Sequence, residues 1–262
     1  MRCSPWPPTP PPGPPPADAP RGGPRPFSAI APQPPPAPHG LPTRLGPARA
    51  HDRHHLDALL ALRNQQPELR AQVDAAIEQA FVRPVAMLVL DLCGFSRITA
   101  HHGIIHFLAL VHRMEQAARP AIAANGGEVV KQEADNLFAV FTHPQQALDG
   151  ALDVLRALDA MNAVQPPEAQ LQASVGIGYG PTLVIAGKDL YGHEMNLACK
   201  LGEDIAGPGE VLLTLAACAG LAPGRYLLAP VPVHIGGGAL TAMRCSACLH
   251  AHPLPGAPLG AG

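Results

Sequence analysis

Several things are scarce in this 262-residue chain, and each scarcity narrows what it can be. An excess of one charge is missing: 18 Lys and Arg stand against 20 Asp and Glu, for a formal net charge of −2. That balance gives no electrostatic footprint for nucleic acid or for an anionic membrane surface. Cysteine is sparse, with six residues scattered at positions 3, 93, 199, 218, 245 and 248. This is not the dense framework of a secreted mini-domain. No apolar run approaches membrane-spanning length, and the opening MRCSPWPPTPPP lacks the apolar stretch of a signal peptide. Together these exclusions point to a soluble protein in a reducing, cytoplasmic setting, with no membrane insertion.

Proline, in contrast, is abundant and unevenly placed. Residues 1–50 hold more than half of the 33 prolines, interleaved with Gly, Ala and a few Arg. Such a segment cannot donate ladder hydrogen bonds and buries little, so it is expected to be disordered or polyproline-like. Its PPP runs suit docking to SH3-type regulatory partners. The plainer account is a solvated tail or a start codon set too early.

From residue 51 to 83 the pattern turns helical, with Leu56, Leu59, Leu60, Leu69, Val73, Ile77 and Ala80 on repeating faces. Pro67 is expected to split this lead-in into two helices, because proline is tolerated in a first turn but not mid-helix. Val85–Leu90 is a short continuous apolar run, the mark of a strand buried on both faces. Ile104, Phe107, Leu108, Val111 and Met114 recur at helical spacing until Pro120. Asn125-Gly126-Gly127 signals a turn before a strand at Glu128–Gln132. A tight connection at Glu133–Asn136 then leads to a strand at Leu137–Phe141, so the pair reads as a hairpin. Leu148, Ala151, Leu152, Leu155 and Leu158 form a second amphipathic helix, and Leu171, Ala173, Val175 and Ile177 alternate as a strand.

The order β-α-β-β-α-β predicts an α+β fold with a ferredoxin-like core, two helices lying on one face of an antiparallel sheet. A strand at Leu183–Ala186, a helix at His193–Ile205 and a strand at Glu210–Thr214 extend it. Weak strands follow near Arg225–Leu228 and Leu240–Cys245. The expected organisation is a tail (1–50), a helical lead-in (51–83), one domain (84–248) and a loose C-terminal tail (249–262).

Two aspartates lie beside strongly apolar runs, Asp91 at the end of a buried strand and Asp135 in the hairpin turn. Taken singly, Asp91 reads as a cap for a helix starting near Ser96 and Asp135 as an ordinary turn residue. Delivered from neighbouring strands, the two carboxylates would converge as a site for divalent ions over a triphosphate. Asn196 and Lys200, four residues apart, share one face of a helix. A lone Lys131 on a hairpin reads as a solvated strand residue.

Three segments, LVLDLCGFS (Leu88–Ser96), KQEADNLFAVF (Lys131–Phe141) and DLYGHEMNLACK (Asp189–Lys200), together resemble the class III nucleotidyl cyclase domain of adenylate and guanylate cyclases. The resemblance covers Val85 to about Thr214, roughly half of the chain. It implies that Asp91, the main-chain carbonyl of Leu92 and Asp135 hold two Mg²⁺ or Mn²⁺ ions. It also implies that Lys131 and Asp189 read the purine, a donor and an acceptor suited to N1 and N6 of adenine, so the expected substrate is ATP. Asn196 is then the residue that orients the ribose.

The family carries arginine where Lys200 stands, steadying charge on the phosphate. Lysine keeps that charge but loses the planar fork, so the change is not conservative. The family usually has Gly before its second aspartate, and here Ala134 stands there. It often closes the site with a lysine from a VKGKGEL-type segment. The nearest match, VHIGGGAL (Val233–Leu240), offers only His234. The resemblance implies a homodimer with the cleft between subunits, and an adenylate cyclase, a phosphorus-oxygen lyase making cyclic AMP and pyrophosphate. Its departures leave open a cyclase-homology domain that binds nucleotide or a partner and turns over slowly or not at all.

Four further signals carry no chemistry on this reading. Gly126-Gly127-Glu128 is a hairpin turn. Gly176-Ile177-Gly178-Tyr179-Gly180 marks a strand lying close to another backbone, not a phosphate loop. Cys245-Ser246-Ala247-Cys248 is a lone CxxC with no partner pair. His101, His102 and His106 are expected on the outer face of the first domain helix.

Overall fold

A computed structural model describes residues 52–94 and 102–248. The proline-rich segment, the C-terminal tail, Phe95, Ser96 and His101 therefore lie outside the described residues. Helix α1 (Arg53–Gln65) starts at Asp52, whose carboxylate accepts the His55 backbone N–H at 2.8 Å, a strong N-cap arrangement. Pro67 opens a short 3₁₀ turn, and α2 (Arg70–Phe81) follows, so the lead-in splits where its proline predicts. Leu56, Leu59, Val73, Ile77 and Phe81 bury themselves with Ile185 of the sheet. Arg63 pairs with Asp74 and ties α1 to α2.

Helix α2 runs straight into β1 (Val82–Leu92), an interior strand of the sheet. It lies antiparallel to both β3 (Asn136–Phe141) and β4 (Ala173–Ile185). Val85 to Leu90 are all buried, because both faces of the strand are covered. Ala86, Leu88, Leu90 and Leu92 pack toward α3 (Ile104–Ala124) and α4 (Pro144–Asn162). Val85, Met87 and Val89 pack on the opposite face, toward α5 (His193–Cys199). Period-two alternation consigns Asp91 to that second face, and a one-residue slip would point it into the α3–α4 core.

With β2 (Glu128–Glu133) paired to β3, the sheet begins β2-β3-β1-β4, which is the ferredoxin-like arrangement the sequence predicts. It continues through β6 (Val211–Leu213), parallel to β4, then β8 (Gly238–Cys248) and β7 (Tyr226–Ile235). The three-residue β5 (Asp189–Tyr191) folds back on the end of β4. A short α6 (Leu215–Ala219) is capped by Thr214, which accepts the Ala217 N–H at 3.2 Å.

Three elements differ from expectation. Helix α3 continues past Pro120 to Ala124. Pro120 is exposed, so the carbonyl it leaves unpaired faces water, while Ala117, Ala118 and Ile122 hold the buried side in place. The two strands expected around 171–177 and 183–186 are one 13-residue strand, β4, running through Pro181. Pro181 stands opposite Pro84 of β1, so two residues without N–H donors share one register position. The weak C-terminal strands form a long hairpin, turned by Gly236 and Gly237 at φ +59° and +81°. Its β7 strand is the sheet edge and carries Pro230 and Pro232, where missing donors cost little.

Candidate active site

Helix α5 lies directly on the backbone of β4, and glycine makes that possible. A Cβ on Gly176 would stand 2.0 Å from the Ala198 carbonyl oxygen, and one on Gly178 would stand 2.5 Å from that of Glu194. The glycine-rich stretch is thus a close backbone crossing, as the sequence implies. Asn196 and Lys200 both come out exposed from this seat. The chain then continues as a π-helical turn, Lys200–Ile205, with Gly202 lodged against the Val89 carbonyl. The sequence predicts one regular helix to Ile205. The close seat of Gly202 on β1 and β4 accompanies the wider turn, of the kind that often marks functional sites.

On the α5 side of the sheet, the two predicted metal-binding aspartates lie near enough for the charge of Asp135 to act on Asp91. Asp91 ends β1 half-buried, and Asp135 sits buried in the two-residue β2–β3 loop. The Asp91 carboxyl is pushed up to about 7, first by burial and then by the negative charges of Asp135, Glu203 and Asp204. Burial also raises Asp135 and Glu203. Glu203 reaches toward the hairpin, where its Oε1 accepts from Asn136 Nδ2 at 3.4 Å. Leu92 turns its side chain into the opposite core, leaving only its main chain to serve this face. Ala134 holds φ +52°, the left-handed region where a two-residue loop usually places glycine.

These donors suit a hard divalent cation. Crowded, half-buried carboxylates that resist ionisation are what an added positive charge would relieve. Among the described residues, no group of three or more His, Cys, Asp or Glu is arranged to hold a metal. Two carboxylates and a carbonyl match an ion that keeps several waters and takes further oxygens from substrate phosphates.

The two predicted purine readers lie side by side although 58 positions separate them in sequence. Lys131 Nζ bonds Asp189 Oδ1 at 2.9 Å and Glu133 Oε1 at 2.9 Å, and sits 4.7 Å above the Phe138 ring. Asp189 also takes the Leu190 N–H on Oδ1 at 2.9 Å and the Tyr191 hydroxyl on Oδ2 at 2.6 Å. Burial raises the Asp189 pKa, but bonds from Lys131, Tyr191 and Leu190 outweigh it and hold the carboxyl below its ordinary value.

Lys200, the expected phosphate residue, pairs instead with Asp204 at 2.6 Å, both about half exposed. His234 lies in the β7–β8 hairpin opposite Ala239, on the sheet edge farthest from β2. Within one chain, then, the fold does not bring it to Lys131 or Asp135. His102 and His106 stack with ring centroids 4.9 Å apart, and Cys245 is buried in the main core.

Sequence reasoning missed Glu133, Tyr191, Glu203 and Asp204. The first two were within reach, since Lys131 and Glu133, like Asp189 and Tyr191, are two apart on strands and share a face. The last two depend on the π turn, which no local pattern announces.

No family model matches the chain. It is 26% identical over 132 residues, half of this chain, to a Rhizobium meliloti (strain 1021) protein named "Putative adenylate cyclase 3". It spans only 22% of that relative's length, and 30% of the length of a 29% identical, uncharacterized Mycobacterium bovis protein. An adenylate/guanylate cyclase/hydrolase from Silicibacter pomeroyi superposes with a TM-score of 0.53 at 24% identity, covering 63% of this chain and 96% of that one. The catalytic core of a rhodopsin-guanylyl cyclase with converted specificity, in complex with ATPαS, gives a TM-score of 0.55 at 16% identity, covering 64% and 99%. The chain thus resembles the class III adenylate/guanylate cyclase catalytic domains and has their α+β fold.

Proposed function

We propose that this protein is an adenylate cyclase, converting ATP to 3′,5′-cyclic AMP and pyrophosphate at the interface of a homodimer. The observation that carries the reading is the Lys131–Asp189 pair. An ammonium has three donors, and Lys131 spends two, on Asp189 and Glu133. Asp189 Oδ2 receives only the Tyr191 hydroxyl and keeps an acceptor position. One donor and one acceptor are therefore left side by side, the complement of adenine N1 and its N6 amino group.

The rest of the site follows from the same residues. On this reading Asp91, Asp135 and the Leu92 carbonyl would hold two Mg²⁺ or Mn²⁺ ions. Bound there, such ions supply positive charge to the triphosphate and acidify the ribose 3′ hydroxyl. Asn196 holds the ribose, and Lys200 steadies the α-phosphate as the 3′ oxygen attacks it and the bond to pyrophosphate breaks. Lys200 must exchange Asp204 for the phosphate to do so, which costs little because an exposed ion pair is worth about 0–1 kcal/mol. In the dimer one subunit would give the metal aspartates and the other Lys131, Asp189 and Asn196, making two equivalent sites.

A second reading, a domain that binds nucleotide without efficient turnover, draws on the occupied Lys200 and on the place of His234 across the sheet. Cyclic-nucleotide production decides between them, measured with ATP or GTP and Mn²⁺ or Mg²⁺ beside an Asp91→Ala control. Cyclic AMP from the wild type alone is the expected result. No product from either nucleotide at high protein concentration would overturn catalysis and favour the second reading.

A further inference from the structure

Base selection in this protein does not end with the two residues that would touch the base. Strand β5 is only three residues long, and its alternation buries Leu190 while Asp189 and Tyr191 emerge on one face. A carboxylate on so short a strand can turn about its terminal torsion unless both oxygens are engaged. Both are engaged here. Lys131 and the Leu190 N–H fix Oδ1, and the Tyr191 hydroxyl fixes Oδ2 at 2.6 Å, the length of a charge-assisted bond. Tyr191 is held in turn by Arg53 of α1, whose Nη1 donates to the phenol oxygen at 3.3 Å.

We propose that Tyr191 is a positioning residue for base selection, aiming the free acceptor of Asp189 Oδ2, and that Arg53 ties this aim to helix α1. The inference rests on the reading of Lys131 and Asp189 as the base-reading pair. Tyr191 itself need not touch nucleotide. Its hydroxyl occupies one acceptor position of Oδ2, so that the other is presented in a fixed direction. Loss of the hydroxyl removes one of the three bonds that set the terminal torsion, so the direction of the carboxylate is less narrowly held. The penalty then falls on recognition of the N6 amino group and spares the chemistry at Asp91 and Asp135.

The test compares the wild-type chain with Tyr191→Phe, Arg53→Ala and Asp189→Ala. ATP and GTP displace a fluorescent ATP analogue in the presence of Mn²⁺, a readout that needs no turnover. The Tyr191→Phe protein is expected to bind ATP about 5- to 10-fold more weakly with GTP binding unchanged, the size of one ordinary net hydrogen bond. Arg53→Ala should weaken ATP binding about 2-fold. In turnover, Tyr191→Phe should raise KM for ATP and leave kcat within about 2-fold, a split that general loosening of the fold would not give. Preference retained in Tyr191→Phe but lost in Asp189→Ala overturns the role of Tyr191 and leaves the base-reading pair standing. Preference unchanged in both variants overturns the pair, and the role of Tyr191 with it. An Arg53→Ala protein indistinguishable from wild type overturns the tie to α1.

Discussion

The two halves of the candidate site are built on opposite electrostatic plans. In the proposed base-reading half every charge has a partner: Lys131 lies between Asp189 and Glu133, and Tyr191 takes one acceptor position of Asp189 Oδ2. In the metal half like charges crowd together. Asp91 feels Asp135, Glu203 and Asp204, and Lys200 is paired with Asp204. The first half is organised before any ligand arrives, as the proposed reading of a base requires. The second carries a cost in the folded state that protonation or an added cation would relieve. A site of this kind is half finished by the protein and half by what it binds.

The largest expected effect breaks the metal half outright. Asp91→Ala should lower cyclic AMP formation by about 1,000-fold or more, since charge stabilisation at the phosphate is lost, while leaving the ATP preference measured by displacement intact. Next comes the base half. Joint Lys131→Glu and Asp189→Cys should cut the ATP-to-GTP ratio of turnover by about 100-fold, because mispaired polar groups in a binding site are strongly rejected. Lys200→Arg should raise kcat by about 10- to 100-fold if the guanidinium fork restores two phosphate contacts. An unchanged kcat would show that Lys200 does not limit the reaction.

A smaller effect compares the halves directly by pH. Asp91 holds its proton up to about 7 in the folded chain, against an ordinary value of 3.8. Between those limits the folded state binds more protons than the unfolded one, so stability falls as pH rises from about 4 to 7 and is level above. For a carboxyl only half shielded from solvent, the fall should be about 1–2 kcal/mol. Asp189 is shifted the other way by its partners. Its contribution is present above its unfolded pKa and is lost as pH falls through the lower folded value. Thermal melts of Asp91→Asn and Asp189→Asn protein without divalent ions should therefore change slope in opposite directions. The smallest expected effect is local. Ala134→Gly should stabilise the fold by about 1 kcal/mol, by relieving a left-handed alanine in the β2–β3 loop, and equilibrium denaturation would detect it.

Much of this architecture is legible in the chain itself. The run Val85–Leu90 announces a strand buried on both faces, and the helical spacing of Leu148 to Leu158 announces α4. Pro67 marks the break between α1 and α2. The differences arise where local punctuation is overruled. Pro120 reads as a stop, and residues 171–177 and 183–186 read as separate strands, but buried neighbours carry α3 and β4 through. Of the site, Asp91, Asp135, Lys131 and Asp189 could be named from their segments by resemblance. The aspartates interact, and Lys131 bonds Asp189, only because β1, β3 and the β4–β5 turn bring distant positions together.

What the sequence determined alone is periodic: which stretches form strands and helices, and which face of β1 would carry Asp91. Alternation is a property of the backbone and needs no partner to be read. What only the tertiary structure decided is which polar groups meet across that face. The π turn that brings Glu203 toward Asp135, the pairing of Lys200 with Asp204, and the chain of bonds from Arg53 through Tyr191 to Asp189 all arise from packing α5 onto a glycine floor and α1 beside β5. Such contacts depend on distances between elements far apart in sequence, and a local pattern contains no term for them.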